Sequence, residues 1–259
     1  MPAAALLQTE PSLHDVLRSR PRPPLRDVSR GHLTWSAGKV LELCLAEGLD
    51  PEAMRQFDAL MTGRIRLRKG DALFRSGDRF TSLYAIRSGS CKTVFLAEDG
   101  REQVAGYHMA GEIIGAEGIG GGSHGCEAVA LEDTEVAVFP FERVEALSRL
   151  DRVFQRNLYR LLSREIARAR TVMLLLGTKG AEQRVAAFLI DLLQQYQVRG
   201  YSSCEFVLRM TREEIGSYLG LKLETVSRVF SRFQREGLLQ VEGRVVKLLD
   251  RSTMMKLVN

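Results

Sequence analysis

Three side chains within TREEIGSYLGLKLETVSRVFSRF, residues 211–233, have the chemistry of base recognition. Arg228 carries a planar fork of donors that matches O6 and N7 of guanine in a major groove, and Glu224 can accept from a cytosine amino group. Four residues apart on a helix, the two share one face and can read one G·C pair or adjacent pairs. Ser227 can approach a thymine or a phosphate, and Thr225 lies on the same turn. Thr211, at a helix N-cap, and Arg212 suit phosphate contact, with the amides of the helix N-terminus assisting. The plain alternative for Glu224 and Arg228 is a surface ion pair worth a few tenths of a kcal/mol.

Such residues need a support that lifts them from the surface, and the same stretch spells one. Apolar residues recur at helical spacing up to Leu219, Gly220 interrupts, and the spacing resumes from Leu223. With Arg212 as the first position of a helix-turn-helix, Ile215, Leu219, Leu221, Val226 and Val229 face the shared core. Gly216 falls where the helices should cross closely, and Gly220 at the turn, where a positive φ is wanted. LLQVEGRVVKLLD, 238–250, alternates about Glu242-Gly243 and predicts a small hairpin wing.

The totals permit two domains in 259 residues, with 45% hydrophobic and 27% charged residues as in ordinary soluble chains. No run of eighteen apolar residues suggests a membrane span. The start, MPAAALLQTEPSLHD, lacks the basic residues of a secretory signal. Cys44, Cys91, Cys126 and Cys204 stand too far apart for a disulfide framework or a zinc site, which predicts a cytoplasmic protein with no bound metal. Charge is unevenly spread. Residues 37–145 carry 12 Lys/Arg against 18 Asp/Glu, residues 146–177 carry 7 against 2, and residues 178–259 carry 13 against 9. An acidic first body and a basic second half suggest that the second half meets a polyanion, here double-stranded DNA.

Four segments follow from texture. Residues 1–36, with RSRPRPPLRDVSRG, read as a flexible N-terminal arm. Residues 37–145 hold a helical DPEAMRQFDALM and then short alternating runs, ALFRSG, SLYAIRSGSCKTVFLA, EQVAGYHMAG and TEVAVFPF, separated by glycine turns. They predict an antiparallel β-barrel of jelly-roll type and an α+β chain overall. GAEGIGGG, from Gly115, lacks the setting and the Lys-Ser/Thr of a phosphate loop and reads as a barrel turn. Residues 143–176 form one long helical pattern, giving a helical segment 146–177. In it Leu158, Leu162, Ile166, Ala169, Met173 and Leu176 recur at steps of three and four as a seam for self-association, with Arg156, Arg160, Arg164 and Arg168 opposite. Gly177 should end it, and AEQRVAAFLIDLLQQYQ should start the DNA-binding domain, 178–259.

Barrel, seam helix and winged helix-turn-helix in this order resemble the cyclic-AMP-receptor/fumarate-nitrate-reduction (CRP/FNR) family of bacterial transcription regulators. The likeness runs from about Leu41 to Leu249 and is carried by SLYAIRSGS, MLLLGTKGAEQRVAAFL and TREEIGSYLGLKLETVSRVFSRFQREGLL. These look like the anaerobic (FNR) branch, in which E-x-x-S-R, here Glu224, Ser227 and Arg228, reads an inverted repeat related to TTGAT-N4-ATCAA. The resemblance implies a homodimer on half-sites one helical turn apart. It also implies an activator that touches RNA polymerase, in part through a surface like EQVAGYHMAG.

Two departures bear on cofactors. Cyclic-nucleotide members neutralise the phosphate with a barrel arginine, whereas this chain has no Lys or Arg between Arg101 and Arg143, which disfavours cyclic AMP. Oxygen-sensing members hold a [4Fe–4S] cluster on four cysteines. Here Cys44 matches one of them and Ala137 stands at the barrel position, which disfavours that cluster. Ala169 stands where cluster-dependent members place an acid in the dimer helix, so the resemblance implies dimerisation without a cofactor. Cys91 and Cys126 are redox-active thiols or buried inert ones. The competing reading within this fold is a ligand-gated sensor binding haem, nitric oxide or a small molecule, with His108 and His124 available as ligands. No constellation of catalytic residues stands out, so an enzyme is not expected.

Overall fold

The structure, a computed structural model, describes residues 45–96 and 100–258 and the backbone of a short strand at 26–27. The remainder of the arm and Cys44 lie outside the described residues. Helix α1, Pro51–Leu60, begins where the side chain of Asp50 accepts from the amides of Glu52 and Ala53 at 2.9 and 2.8 Å, with proline at its first position. It buries Ala53, Phe57 and Leu60.

Among the described residues, nine strands build two antiparallel sheets. The first has the order β1 (Arg26–Asp27), β2 (Gly63–Leu67), β9 (Thr134–Pro140), β4 (Ser82–Ser88), β7 (Ile113–Ile114). The second runs β3 (Ala72–Phe74), β8 (Glu127–Ala130), β5 (Ser90–Leu96), β6 (Glu102–Met109). Their facing residues, among them Leu67, Phe74, Ile86, Cys91, Cys126, Ala128 and Val136, close one apolar core. GAEGIGGG forms a short 3-10 turn at Ala116–Gly118, as a barrel turn should.

The long helical pattern divides. Helix α2 spans Phe141–Leu150 and helix α3 Arg152–Thr178, with extended backbone at Asp151 between them. The reason is local: the Asp151 carboxylate accepts the amide of Phe154 at 2.7 Å and so caps a new helix where periodicity suggested continuation. Gly177 lies inside α3 rather than ending it, and the cap falls at Lys179. The first turns of α3 also belong to the barrel. Phe154, Leu158 and Leu161 join Phe57, Leu83, Phe139 and Val144 in a second core.

The C-terminal body comprises α4 (Ala181–Val198), β10 (Glu205–Val207), α5 (Arg212–Leu219), α6 (Leu223–Arg235), β11 (Leu239–Glu242), β12 (Val245–Leu248) and α7 (Arg251–Val258). The wing is present, with the two-residue turn at Gly243-Arg244, because Glu242 pairs with Val245. It gains a third strand, β10, which periodicity did not show. A continuous core runs from Val94, Val104, Tyr107 and Met109 of the barrel into Leu189, Phe206, Ile215, Leu219, Val226, Phe233 and Leu239.

Candidate nucleic-acid interface

Helix α5 starts with a reciprocal cap. Glu214 donates its amide to the Thr211 hydroxyl at 3.1 Å, and its carboxylate accepts the Thr211 amide at 2.7 Å. It stops at Gly220, whose φ of 62° lets its amide reach back to Gly216 and Ser217. Gly216 answers a tighter constraint than helix crossing. A Cβ there would sit 2.6 Å from the Leu221 carbonyl oxygen, so the turn itself excludes a side chain. Ile215, Leu219, Val226 and Val229 are buried and Leu221 half-buried, which seats α6 on α5.

That seating leaves one face of α6 to solvent. Glu224 and Arg228 are exposed, and Thr225 and Ser227 half-exposed between them. No ion pair joins Glu224 to Arg228 among the described residues, so both groups remain available to a ligand. Arg232, one turn further, bridges Glu182 of α4 and Glu236, the latter at 2.7 Å. It ties the helix to α4 and to its own C-terminal end. The exposed Lys222 precedes α6 and adds positive charge at its N-terminus.

Arg212 takes a different place from the one its spacing suggests. Its guanidinium carbon lies 3.2 Å from the centre of the Phe230 ring, and burial pushes its pKa down to about 10. The group stays cationic at neutral pH, but it faces an aromatic surface of α6 and locks the two helices together. Reaching a phosphate would require it to leave that ring. Thr211 remains exposed at the helix start.

Spacing alone did not reveal the groups that orient this unit. Arg184 donates to Leu176 O at 2.7 Å, Lys179 O at 2.8 Å and Leu219 O at 3.0 Å, clamping the ends of α3 and α5 with one guanidinium. Lys92 of β5 meets Glu214 at 2.8 Å. The Ser217 hydroxyl accepts the Val104 amide at 2.8 Å and donates to Glu102 O at 3.1 Å, while Gln103 reaches Ser217 O. Thus α5 lies against the outer strand β6. Residues 102–111, expected as a polymerase surface, are partly covered by the chain's own α5.

The seam residues divide. Leu158 is only 7% exposed and belongs to the barrel core, and Leu162 and Leu176 are half-buried. Ile166, at 55%, and Met173, at 71%, face solvent together with Ala169, and Tyr159 and Leu174 extend the apolar exposure. The correction at Leu158 follows from the break at Asp151, which turns the start of α3 onto the barrel. Arg168 also departs from the outward arginine row: it turns inward to Glu112 at 3.1 Å and to Tyr107 O.

Within the barrel, His124 stacks on Phe74 with ring centres 3.7 Å apart and pairs with Glu117 at 2.8 Å. His108 meets Thr93 at 3.1 Å. Burial, with Glu132 nearby, pushes the Cys91 thiol up to about 12. Burial, with Glu117 nearby, does the same for Cys126. Among the described residues no group of His, Cys, Asp and Glu is arranged to hold a metal ion, and no helix is long and apolar enough to cross a membrane.

Comparison with known proteins agrees with this layout. Residues 64–151 match the cyclic nucleotide-binding domain model and residues 183–257 the Crp-like helix-turn-helix domain model. The chain is 45% identical over 208 residues to the transcriptional activator protein FnrA of Stutzerimonas stutzeri, covering 80% of this chain and 85% of that protein. It is 39% identical over 218 residues to the fumarate and nitrate reduction regulatory protein of Escherichia coli K12, covering 84% and 87%. The structure of FixK2 from Bradyrhizobium japonicum superposes with a TM-score of 0.69 at 32% identity, covering 76% of this chain and 96% of that one. With a cyclic-nucleotide-binding fold, a winged helix-turn-helix and an exposed polar face on α6, the chain belongs to the CRP/FNR family of DNA-binding transcription regulators, and it is not an enzyme.

Proposed function

We propose that the chain acts as a homodimer that reads an FNR-like inverted repeat through Glu224, Ser227 and Arg228 and activates transcription by touching RNA polymerase in the cytoplasm. The observation that carries this reading is the exposed, unpaired Glu224–Arg228 pair on a helix fixed from behind by Arg212 and Arg232. Dimerisation is supported by the exposed Ile166, Ala169 and Met173 on α3. With alanine at 169, no acid opposes its copy across a two-fold axis.

We infer that it does so without cyclic AMP or a four-cysteine [4Fe–4S] cluster. Residues 102–142 supply no Lys or Arg for a phosphate, and the space between the sheets is filled by Phe74, Cys91, Cys126 and their neighbours. The methyl group of Ala137, fully buried, offers no donor to iron, and the Cys91 and Cys126 thiols are held protonated by burial. The test is binding of the purified full-length chain, in air and under argon, to a palindromic operator against a scrambled duplex at moderate salt. Arg228→Ala should cost about 1–3 kcal/mol of affinity and relax selectivity at one base pair. Unchanged preference would refute the reading.

A further inference from the structure

We propose that Glu112 is a positioning residue for DNA reading. It fixes the DNA-binding domain against the long helix and thereby sets the half-site spacing the dimer accepts. The proposal rests on the dimer reading above. Glu112 lies in the turn between β6 and β7, and its carboxylate joins three elements. One oxygen takes Arg199, at the end of α4, at 2.6 Å, and the other takes Arg168 of α3 at 3.1 Å. Both arginines also grip the barrel backbone: Arg199 donates to Ala110 O at 2.8 Å and Arg168 to Tyr107 O. Arg199 further donates to Gln195 O at 2.8 Å on its own helix, and His108 Nδ1 stands 3.5 Å from the carboxylate.

The geometry gives this cluster a role that apolar packing cannot take. Val172 and Leu175 pack α3 against the shared core, but such contacts are non-directional and tolerate small rotations. Arg184 pins the end of α3 to the end of α5, and the Lys92 and Ser217 contacts tie α5 to the barrel, but none of these holds the middle of α3 to α4. The Glu112 cluster supplies that attachment, and a directional one, since one carboxylate takes Arg168 of α3 and Arg199 at the end of α4 and guanidinium forks fix the orientation of the groups they bond. Arg168 lies next to Ala169 and two residues from Ile166, so the cluster ties the exposed stripe of α3 to the reader. The Arg199 side chain is only 8% exposed, so losing the carboxylate strands its charge away from water and forces the domain to shift.

The test measures binding of the full chain to duplexes carrying two TTGAT/ATCAA half-sites separated by four, five or six base pairs, and to a single half-site. Wild type should prefer the four-base-pair spacer by at least about fivefold, the low end of ordinary coupling between sites. In Glu112→Gln that ratio should fall toward one with single half-site binding unchanged. Arg199→Lys, which keeps the charge but loses the fork, should move it the same way and serves if Glu112→Gln folds poorly. A variant that retains the wild-type ratio, or loses affinity equally for every duplex, would overturn the proposal and leave the dimer reading intact. A wild type indifferent to spacing would sink both.

Discussion

Replacing Glu112 by glutamine should produce a loss of stability that depends on pH in a defined way. Burial pushes the Glu112 carboxyl up, but His108, Arg168 and Arg199 outweigh it and bring its pKa from the ordinary 4.5 down to about 2. That difference corresponds to on the order of 3 kcal/mol. Because the folded-state value is depressed, the contribution is fully present above about pH 4.5 and is lost as pH falls toward 2. Glutamine has the shape of the protonated acid, so wild type and variant should converge in acid. Urea unfolding followed by circular dichroism at pH 7, 5, 4 and 3 measures the gap between them. It should be about 3 kcal/mol at pH 7, unchanged at pH 5 and clearly narrower at pH 3. A gap that stays constant down to pH 3 would show that the carboxylate's charge is not what the two arginines require.

Three further outcomes follow from the same geometry. Gly216→Ala should destabilise the C-terminal domain by about 1–3 kcal/mol, because its methyl group meets the Leu221 carbonyl, and thermal melting with operator binding would detect it. Ile166→Glu and Met173→Glu should shift sedimentation toward monomer and weaken operator binding far more than half-site binding. A dimer unmoved by both would place the seam elsewhere. In native protein at pH 8, site-resolved mass spectrometry should show the exposed Cys204 alkylated well before Cys91 and Cys126, whose thiols are held near 12. Rapid labelling of either buried thiol would mean that the barrel opens more readily than its packing implies.

Sequence alone determined the parts governed by neighbours a few residues apart. Thr211 at a helix N-cap and Gly220 at a turn are short-range signals and stand where their spacing put them, and the alternation that predicted the wing is met with its turn one residue later, at Gly243-Arg244. The solvent-facing side of α6 was legible for the same reason, since residues 224, 225, 227 and 228 share a side of any helix. Its basic setting was legible in the charge balance.

What tertiary structure decided involves partners distant along the chain. Arg212 looks like a phosphate contact until Phe230 comes beneath it, and Arg168 looks like a solvated arginine until Glu112, 56 residues earlier, turns toward it. Leu158 belongs to the seam by period and to the barrel by packing, because the cap at Asp151 turns the helix start inward. Periodicity fixes which residues share a face. It carries no information about which body that face meets, and burial against that body decides whether a charged or apolar side chain reads DNA, joins a second copy or holds the domains in place.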